Sequence, residues 1–522
     1  MTHYEDHFKA ILELLDKYEN LTNCHLVDFL KHDLWNKFVP LSMKLDLEEI
    51  ASKNFGIDWW KTELSCELNA FKNITKSLKL DSCPGVMNFK DWSECLEKNK
   101  LDQRKEEFSV RNKCHFMNRK KWHEVEIFSQ AISNLTNSTS SLVIDAGAGK
   151  AYLSEYMSKT YDVPVLAIES SQSHYNSALI RRELMRRKQC SSSKRNLSNT
   201  VGKDDFQTCM IHWLLTMEAL DGRRAHKPKQ RFEQMKEEVF VLSMEEGGSS
   251  CCTCSRWRRA HLVQYIMKSI DKTTDYSDLA ATHLPNYNVN KNVILVGLHT
   301  CGTLTHSMAE SFVNTKDIKG LCVVPCCYHL MTDSLTGKQI FSKNSKMLAQ
   351  QSIDRTSRKT EPMKPTLFYR AILEILLSSM GLNDAKVGRG APLTDFPNYA
   401  QWALMKIGIP SEQIFSQSGK VYPIRGLNIK DGIGDSLLVE FLSMKIPSIE
   451  FLKYFYKSHV SSKWKFEVFQ LLRIHLSSVI EAAIILDIVM YIQRRGHSCK
   501  TSVVKFFDCA ISPRNYAIIA TK

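Results

Sequence analysis

The sequence predicts an α/β fold, a doubly wound and mostly parallel sheet that ends in a closing antiparallel hairpin, preceded by an N-terminal helical region. Three observations carry that expectation. A short apolar run, Leu142-Val143-Ile144, leads into a glycine turn, Asp145-Ala146-Gly147-Ala148-Gly149, and a second apolar run follows at Val163–Ile168. Between them Tyr152, Leu153, Tyr156 and Met157 fall on one side of a helix. The whole is a βαβ unit, the crossover that parallel strands require. Near the end of the chain, two strand-like runs, Thr501–Phe507 and Tyr516–Ala520, flank a turn at Ala510–Asn515 and form the hairpin.

Taken in order, residues 1–110 read as a helical N-terminal region. Phe8, Ile11, Leu12, Leu14, Leu15 and Tyr18 recur at helical spacing, and Trp59, Trp60, Leu64, Leu68 and Phe71 repeat the pattern. The rest of the chain, residues 111–522, reads as one domain. It opens with a helix from Met117 to about Ile132 and a Ser/Thr/Asn-rich turn over 133–141. After the second strand comes a helix with basic ends, Tyr175–Lys188. From 190 to 236 periodicity dissolves, as in a disordered basic insertion. Residues 181–260 hold 17 Lys/Arg against 10 Asp/Glu, half the positive excess of the chain. A solvated loop is the simpler reading and a phosphate-holding arm the functional one. No interleaved aromatic platform accompanies the charge, which favours the loop. Val239–Leu242 is a candidate third strand, obscured by this insertion. Further strands are expected at Val293–Val296 and Leu321–Val324. Helices are expected at Thr366–Met380 and Phe466–Ile492, with a strand or short helix at Tyr399–Ile409.

Composition bounds the class. The chain has 522 residues, 43% hydrophobic and 24% charged, enough to build a sizeable core. A net charge of +14 fits an anionic partner such as RNA or a ribonucleoprotein, although charge speaks to association and not to chemistry. The first residues, with Glu5, Asp6, Lys9, Glu13 and Asp16, lack the apolar core of a secretory signal. The most apolar stretch, Leu476–Ile492, carries Glu481 and Asp487, so no membrane span is expected. Most of the 16 cysteines are then expected as free buried thiols in a reducing compartment, the cytoplasm, the nucleus or both.

The glycine turn follows a strand and opens a helix, which gives weight to a motif that is weak alone. Glycines let a ligand approach the backbone closely. An acid at the strand end, Asp145, can meet a cationic amino group, and Glu169, 20 residues after Gly149, can accept from ribose hydroxyls. A dinucleotide site has glycines placed for a pyrophosphate, which an adjacent acid would repel. Here the acid precedes the first glycine and no third glycine follows, so Asp145, Gly147, Gly149 and Glu169 point to S-adenosyl-L-methionine. A second constellation follows two later strands: His299-Thr300-Cys301-Gly302 and Cys326-Cys327-Tyr328-His329. Ligands bind at such strand ends, so both are expected to face the cleft that holds Gly147. His299 or His329 can take a proton from an acceptor, and Tyr328 can stack on a base or shape the pocket. A zinc site is the rival, but the spacings are not those of a structural zinc motif, and no metal is expected. Cys322 reads as core; Cys251, Cys252 and Cys254 read as exposed thiols.

Together these motifs resemble the methyltransferase-like protein 25 family from about Phe116 to Lys522. The resemblance rests on Lys120-Lys121-x-His123-Glu124-Val125, Asp145-x-Gly147-x-Gly149 and Gly297-Leu298-His299-Thr300-Cys301-Gly302-x-Leu304. It rests also on Cys326-Cys327-Tyr328-His329, Tyr369-Arg370-Ala371 and Ser512-Pro513-Arg514-Asn515. It implies a class I, Rossmann-like methyltransferase. The His-x-Cys-Gly and Cys-Cys-x-His pair also looks like that of tRNA ribose methyltransferases, and a relative carries a ribosomal RNA adenine dimethylase label; both imply an RNA acceptor by analogy. Thr303 stands where the family usually has an acid, and the acid after the third strand is unassigned, with Glu245 a candidate. A protein or small-molecule methyltransferase, or a non-catalytic binding module on the same fold, stays open beside the RNA reading.

Overall fold

The computed structural model describes residues 3–52, 66–97, 117–136, 141–195, 263–284, 292–332, 334–337, 341–351, 365–382, 385–388, 390–409, 446–496 and 498–522. Eight strands make up one sheet: β1 (Val86–Asn88), β2 (Ser141–Ala146), β3 (Val165–Glu169), β4 (Val263–Met267), β5 (Asn292–Cys301), β6 (Ile318–Cys326), β7 (Lys500–Lys505) and β8 (Tyr516–Thr521). Their order is β1-β7-β8-β6-β5-β2-β3-β4. β2 pairs parallel with β3 and with β5, β3 parallel with β4, and β7 antiparallel with β8. This is the doubly wound α/β fold with its closing hairpin. The chain winds outward through β2, β3 and β4, then returns to place β5 on the other side of β2. The carboxyl ends of β2 and β5 therefore flank a topological switch point, where sheets of this kind bind ligands.

The third strand of that winding is β4, about twenty residues later than the candidate at Val239–Leu242, which lies outside the described residues. Val263, Tyr265 and Ile266 of β4 are buried against the sheet. Glu245 also lies outside the described residues, as do 196–236 of the basic insertion and Cys251, Cys252 and Cys254. The acid that follows β4 is Asp271, which accepts from Thr273 N at 2.8 Å and closes an exposed turn. The Tyr399–Ile409 segment is helical, Phe396–Ile407, started by Asp395 accepting from Asn398 N and stopped by Gly408 at φ 101°.

The chain divides into two compact units. One comprises Cys114–His299, Glu310–Val323 and Lys522. Its centre is β2, every residue of which is buried, flanked by buried β3 residues Val165–Ile168. An apolar run of this kind, without alternation, is what a parallel strand covered on both faces demands.

The other unit comprises Met1–Lys113, Thr300–Ala309 and Val324–Thr521. Its axis is the 33-residue helix Lys463–Arg495. By length and hydropathy this helix could cross a membrane, yet 83% of its apolar window is buried inside the protein. Its charged residues are spent on neighbours. Asp487 accepts from Ser334 Oγ and Leu335 N, both at 2.7 Å, and Glu481 accepts from Tyr328 Oη at 2.8 Å. The helix His3–Lys17 buries Tyr4, Phe8, Ile11, Leu14 and Leu15 in this unit, the face its spacing predicts. Arg473, buried in the long helix, donates from Nε to Leu21 O at 2.7 Å and from Nη2 to Cys24 O at 2.9 Å. Arg473→Met keeps the apolar stem and strands both carbonyls. It is expected to destabilise the chain by about 3 kcal/mol, read as a lower urea midpoint with an unchanged m-value.

Candidate active site

The glycine turn is a sharp backbone reversal at the end of β2. Gly147, Gly149 and Ala151 have φ of 72°, 57° and 53°. The left-handed region suits glycine and strains alanine, so Ala151 needs support from outside the turn. Arg181, on the helix Gln172–Arg195, supplies it. Its Nη2 donates to Lys150 O at 2.6 Å and to Ala151 O at 2.9 Å, and its guanidinium lies 4.2 Å from the centre of the Tyr152 ring. A Cβ built on Gly149 meets nothing within 4 Å, so the turn presents bare backbone to open space.

Two carboxylates serve this turn. Glu169, at the end of β3, accepts from Gly149 N at 2.6 Å and from Ser171 N at 2.8 Å. Asp145 is buried and accepts from Ser154 Oγ at 2.6 Å. Burial pushes the Asp145 carboxyl from an ordinary 3.8 up to about 6, the Ser154 hydrogen bond and the Lys121 ammonium pull it down, and the charge of Glu169 pushes it further up. Asp145 and Glu169 thus repel each other beside an accessible turn, which is an arrangement a cation relieves.

On the neighbouring strand β5 stands His299. Its Nε2 lies 3.1 Å from Glu124 Oε2. Glu124 is 1% exposed and is flanked by Lys120 Nζ and Lys121 Nζ, each 3.6 Å from one of its oxygens. A carboxylate held between two ammonium groups only accepts, so the histidine donates from Nε2 and keeps its lone pair on Nδ1. The His299 side chain is 30% exposed. The charged row Lys120, Lys121, Glu124 comes from the first turns of the helix Arg119–Leu135, started by Asn118 accepting from Lys121 N at 2.8 Å. Glu124, Arg181 and Ser154 were not among the expected site residues. The signal for Glu124 lay in its place in a family motif, but its partner is 175 residues away.

Of the residues expected to line one cleft, His299 belongs to the unit of the glycine turn, and Cys301, Cys326, Cys327, Tyr328 and His329 belong to the other. There, Cys301 Sγ and Cys326 Sγ are 3.0 Å apart, and the three sulfurs lie within 4.8 Å of one another. The Cys301 hydrogen bond, burial and the other thiols push Cys326 well up; burial and Cys301 push Cys327 up. Tyr328 is 1% exposed, bonded to Glu481 and covered by the Arg514 guanidinium 5.1 Å from its ring centre. The base-stacking role expected of it is therefore corrected: the ring is part of the core, with no face open to a base. His329 Nδ1 is engaged by Gln350 Nε2. Cys322 is fully buried core, as its sequence setting suggests.

The raised Asp145 value has a stability consequence whose sign is fixed. An acid whose folded value lies above its unfolded one opposes folding once ionised, fully above about pH 6 and not at all below the ordinary aspartate range. The displacement is worth about 3 kcal/mol. Asp145→Asn is expected to raise the urea midpoint at about pH 7.5 and to leave it unchanged near pH 4, where both side chains are neutral.

A methyltransferase-domain family matches residues 120–334, the span that runs from Lys120 through the glycine turn and both Cys/His motifs. The human protein named probable methyltransferase-like protein 25 is 22% identical to this chain, over 98% of the chain and 96% of the relative. The mouse protein of the same name is 21% identical, over 99% and 96%. No solved structure matches. With the glycine turn, the sheet order and these matches in agreement, the chain carries a methyltransferase domain and is similar over nearly its full length to the methyltransferase-like protein 25 proteins.

Proposed function

We propose that the chain transfers the methyl group of S-adenosyl-L-methionine to RNA, in the cytoplasm or nucleus. The observation that carries the cofactor reading is the repelling pair Asp145 and Glu169 beside the bare backbone of Gly149. S-adenosylmethionine brings an ammonium and a sulfonium, and both favour two nearby carboxylates over a pyrophosphate-binding turn. When bound, it supplies an electrophilic methyl group. What remains for the protein is to hold an acceptor in line and to remove its proton.

His299 is the group suited to the proton. Glu124 orients the ring through Nε2, and Nδ1 takes the acceptor's proton as the new bond forms. Lys120 and Lys121 keep Glu124 accepting and set positive charge beside the histidine, where a nucleotide phosphate would sit. The RNA reading is supported by the +14 net charge and the surplus of basic residues over 181–260.

Tritium transfer from labelled cofactor into knockout-cell lysate, split into RNA, protein and small-molecule pools, tests the proposal. Label in RNA that is lost with nuclease is expected. Label that survives nuclease and disappears with protease would move the acceptor to protein. Two variants separate the roles. Gly149→Arg places a side chain where the structure has open space, so calorimetric binding of S-adenosylhomocysteine is expected to vanish, while the urea midpoint falls by the equivalent of about 1–2 kcal/mol for an arginine at φ 57°. His299→Gln is expected to keep binding and to lose transfer by about 10²–10⁴-fold, the usual worth of a general base. Unchanged binding in Gly149→Arg would refute the cofactor assignment.

A further inference from the structure

We propose that Cys301, Cys326 and Cys327 form a zinc(II) site, three thiolates with a fourth position open to solvent. Their spacing in sequence hides this, since Cys326 and Cys327 are consecutive and adjacent residues of a strand point to opposite faces. Two backbone features undo that rule. Cys327, at the end of β6, has φ 49°, a left-handed conformation that strains any residue with a Cβ. The reversal turns its sulfur to the same side as that of Cys326. On the other loop, Gly302 has φ 59°, and its N–H donates to Cys326 O at 3.2 Å. A Cβ there would sit 2.8 Å from Leu330 Cβ, so only glycine lets this loop come close enough to bring Cys301 to the pair. Strain of this sort persists where it builds a site.

The dimensions fit a small tetrahedral ion. Zinc–sulfur bonds of about 2.3 Å set sulfurs about 3.8 Å apart. The Cys301 and Cys326 sulfurs lie 3.0 Å apart and every pair lies within 4.8 Å, a spread that small movements bring to that figure. Small rotations about χ1 complete the geometry. Cys326 is buried, Cys327 half-buried and Cys301 exposed, so the open position lies on the Cys301 side. As the three sulfur–zinc bonds form, three thiol protons leave to solvent. The resulting cluster has a net charge of −1. Arg514, whose Nη1 is 3.4 Å from Glu481 and whose Nη2 donates to Gln350 O at 2.6 Å, provides a fixed positive charge nearby. An acceptor that reaches such an open position meets a Lewis acid or is itself held as a ligand. The site stands apart from the cofactor reading and does not depend on it.

The test is anaerobic titration of the reduced full-length chain with cobalt(II), followed by zinc(II). The expected result is one equivalent of cobalt with an intense thiolate-to-cobalt charge-transfer band, bleached by one equivalent of zinc. Cys301→Ser, Cys326→Ser and Cys327→Ser are each expected to lose the band with an unchanged circular dichroism spectrum, and Cys95→Ser, at an exposed cysteine elsewhere, to keep it. Cys301 is exposed, so its substitution keeps the test decisive even where a buried variant fails to fold. No band, or a band that survives all three substitutions and so belongs to other thiols, overturns the proposal. A Cys301–Cys326 disulfide found by peptide mapping of the protein kept in reductant does the same.

Discussion

Asp145 ends a strand without an exposed residue and carries a carboxylate into hydrocarbon, and the methyltransferase unit is arranged around that cost. Ser154 answers one oxygen with a hydrogen bond, and Lys121 lies close enough to lower its proton affinity. Neither cancels the burial, and Glu169 adds to it. A carboxylate in such a place is tolerated where a bound cation completes the balance. Gly149 leaves open space at the turn, while Arg181 holds the carbonyls of Lys150 and Ala151.

The same logic links the first helix of the unit to chemistry. Lys121 acts on Asp145 and also lies 3.6 Å from Glu124, so one ammonium group joins the glycine turn to the histidine pair. Glu124 can stay buried because two lysines and His299 meet it. The histidine is thereby held in one tautomer. Asp145, Lys121, Glu124 and His299 thus form one small charge network, built from residues on β2, β5 and the helix Arg119–Leu135.

The fold was legible where periodicity was intact. Leu142–Ile144, the glycine turn and the helix behind it follow one another without interruption, so β2 and its crossover could be read directly. The third strand could not. Val263-Gln264-Tyr265-Ile266-Met267 is short, contains a polar residue and follows some seventy residues of patternless sequence. Asp145 and Glu169 were legible from their places at strand ends. Glu124 was not, because a Lys-Lys-x-x-Glu row on a helix reads as a solvated face until a histidine from a distant strand is found beside it. Tyr328 misled for the opposite reason: its motif suggested an open ring, whereas burial against Arg514 and Glu481 depends on elements more than 150 residues away.

The claim on which the rest depends is that a cation completes the Asp145 site, and proton linkage measures it most directly. Only the ionised carboxylate attracts the ammonium and sulfonium, and its value in the free protein lies at about 6. Affinity for S-adenosylmethionine, followed by calorimetry from about pH 7, where the ligand's amino group is still protonated, to about pH 5, should be level above the Asp145 value and fall by up to about tenfold per pH unit below it. In Asp145→Asn the affinity should be weaker at high pH and lose this slope. A wild-type profile without a slope, or one that the substitution leaves unchanged, would contradict the claim.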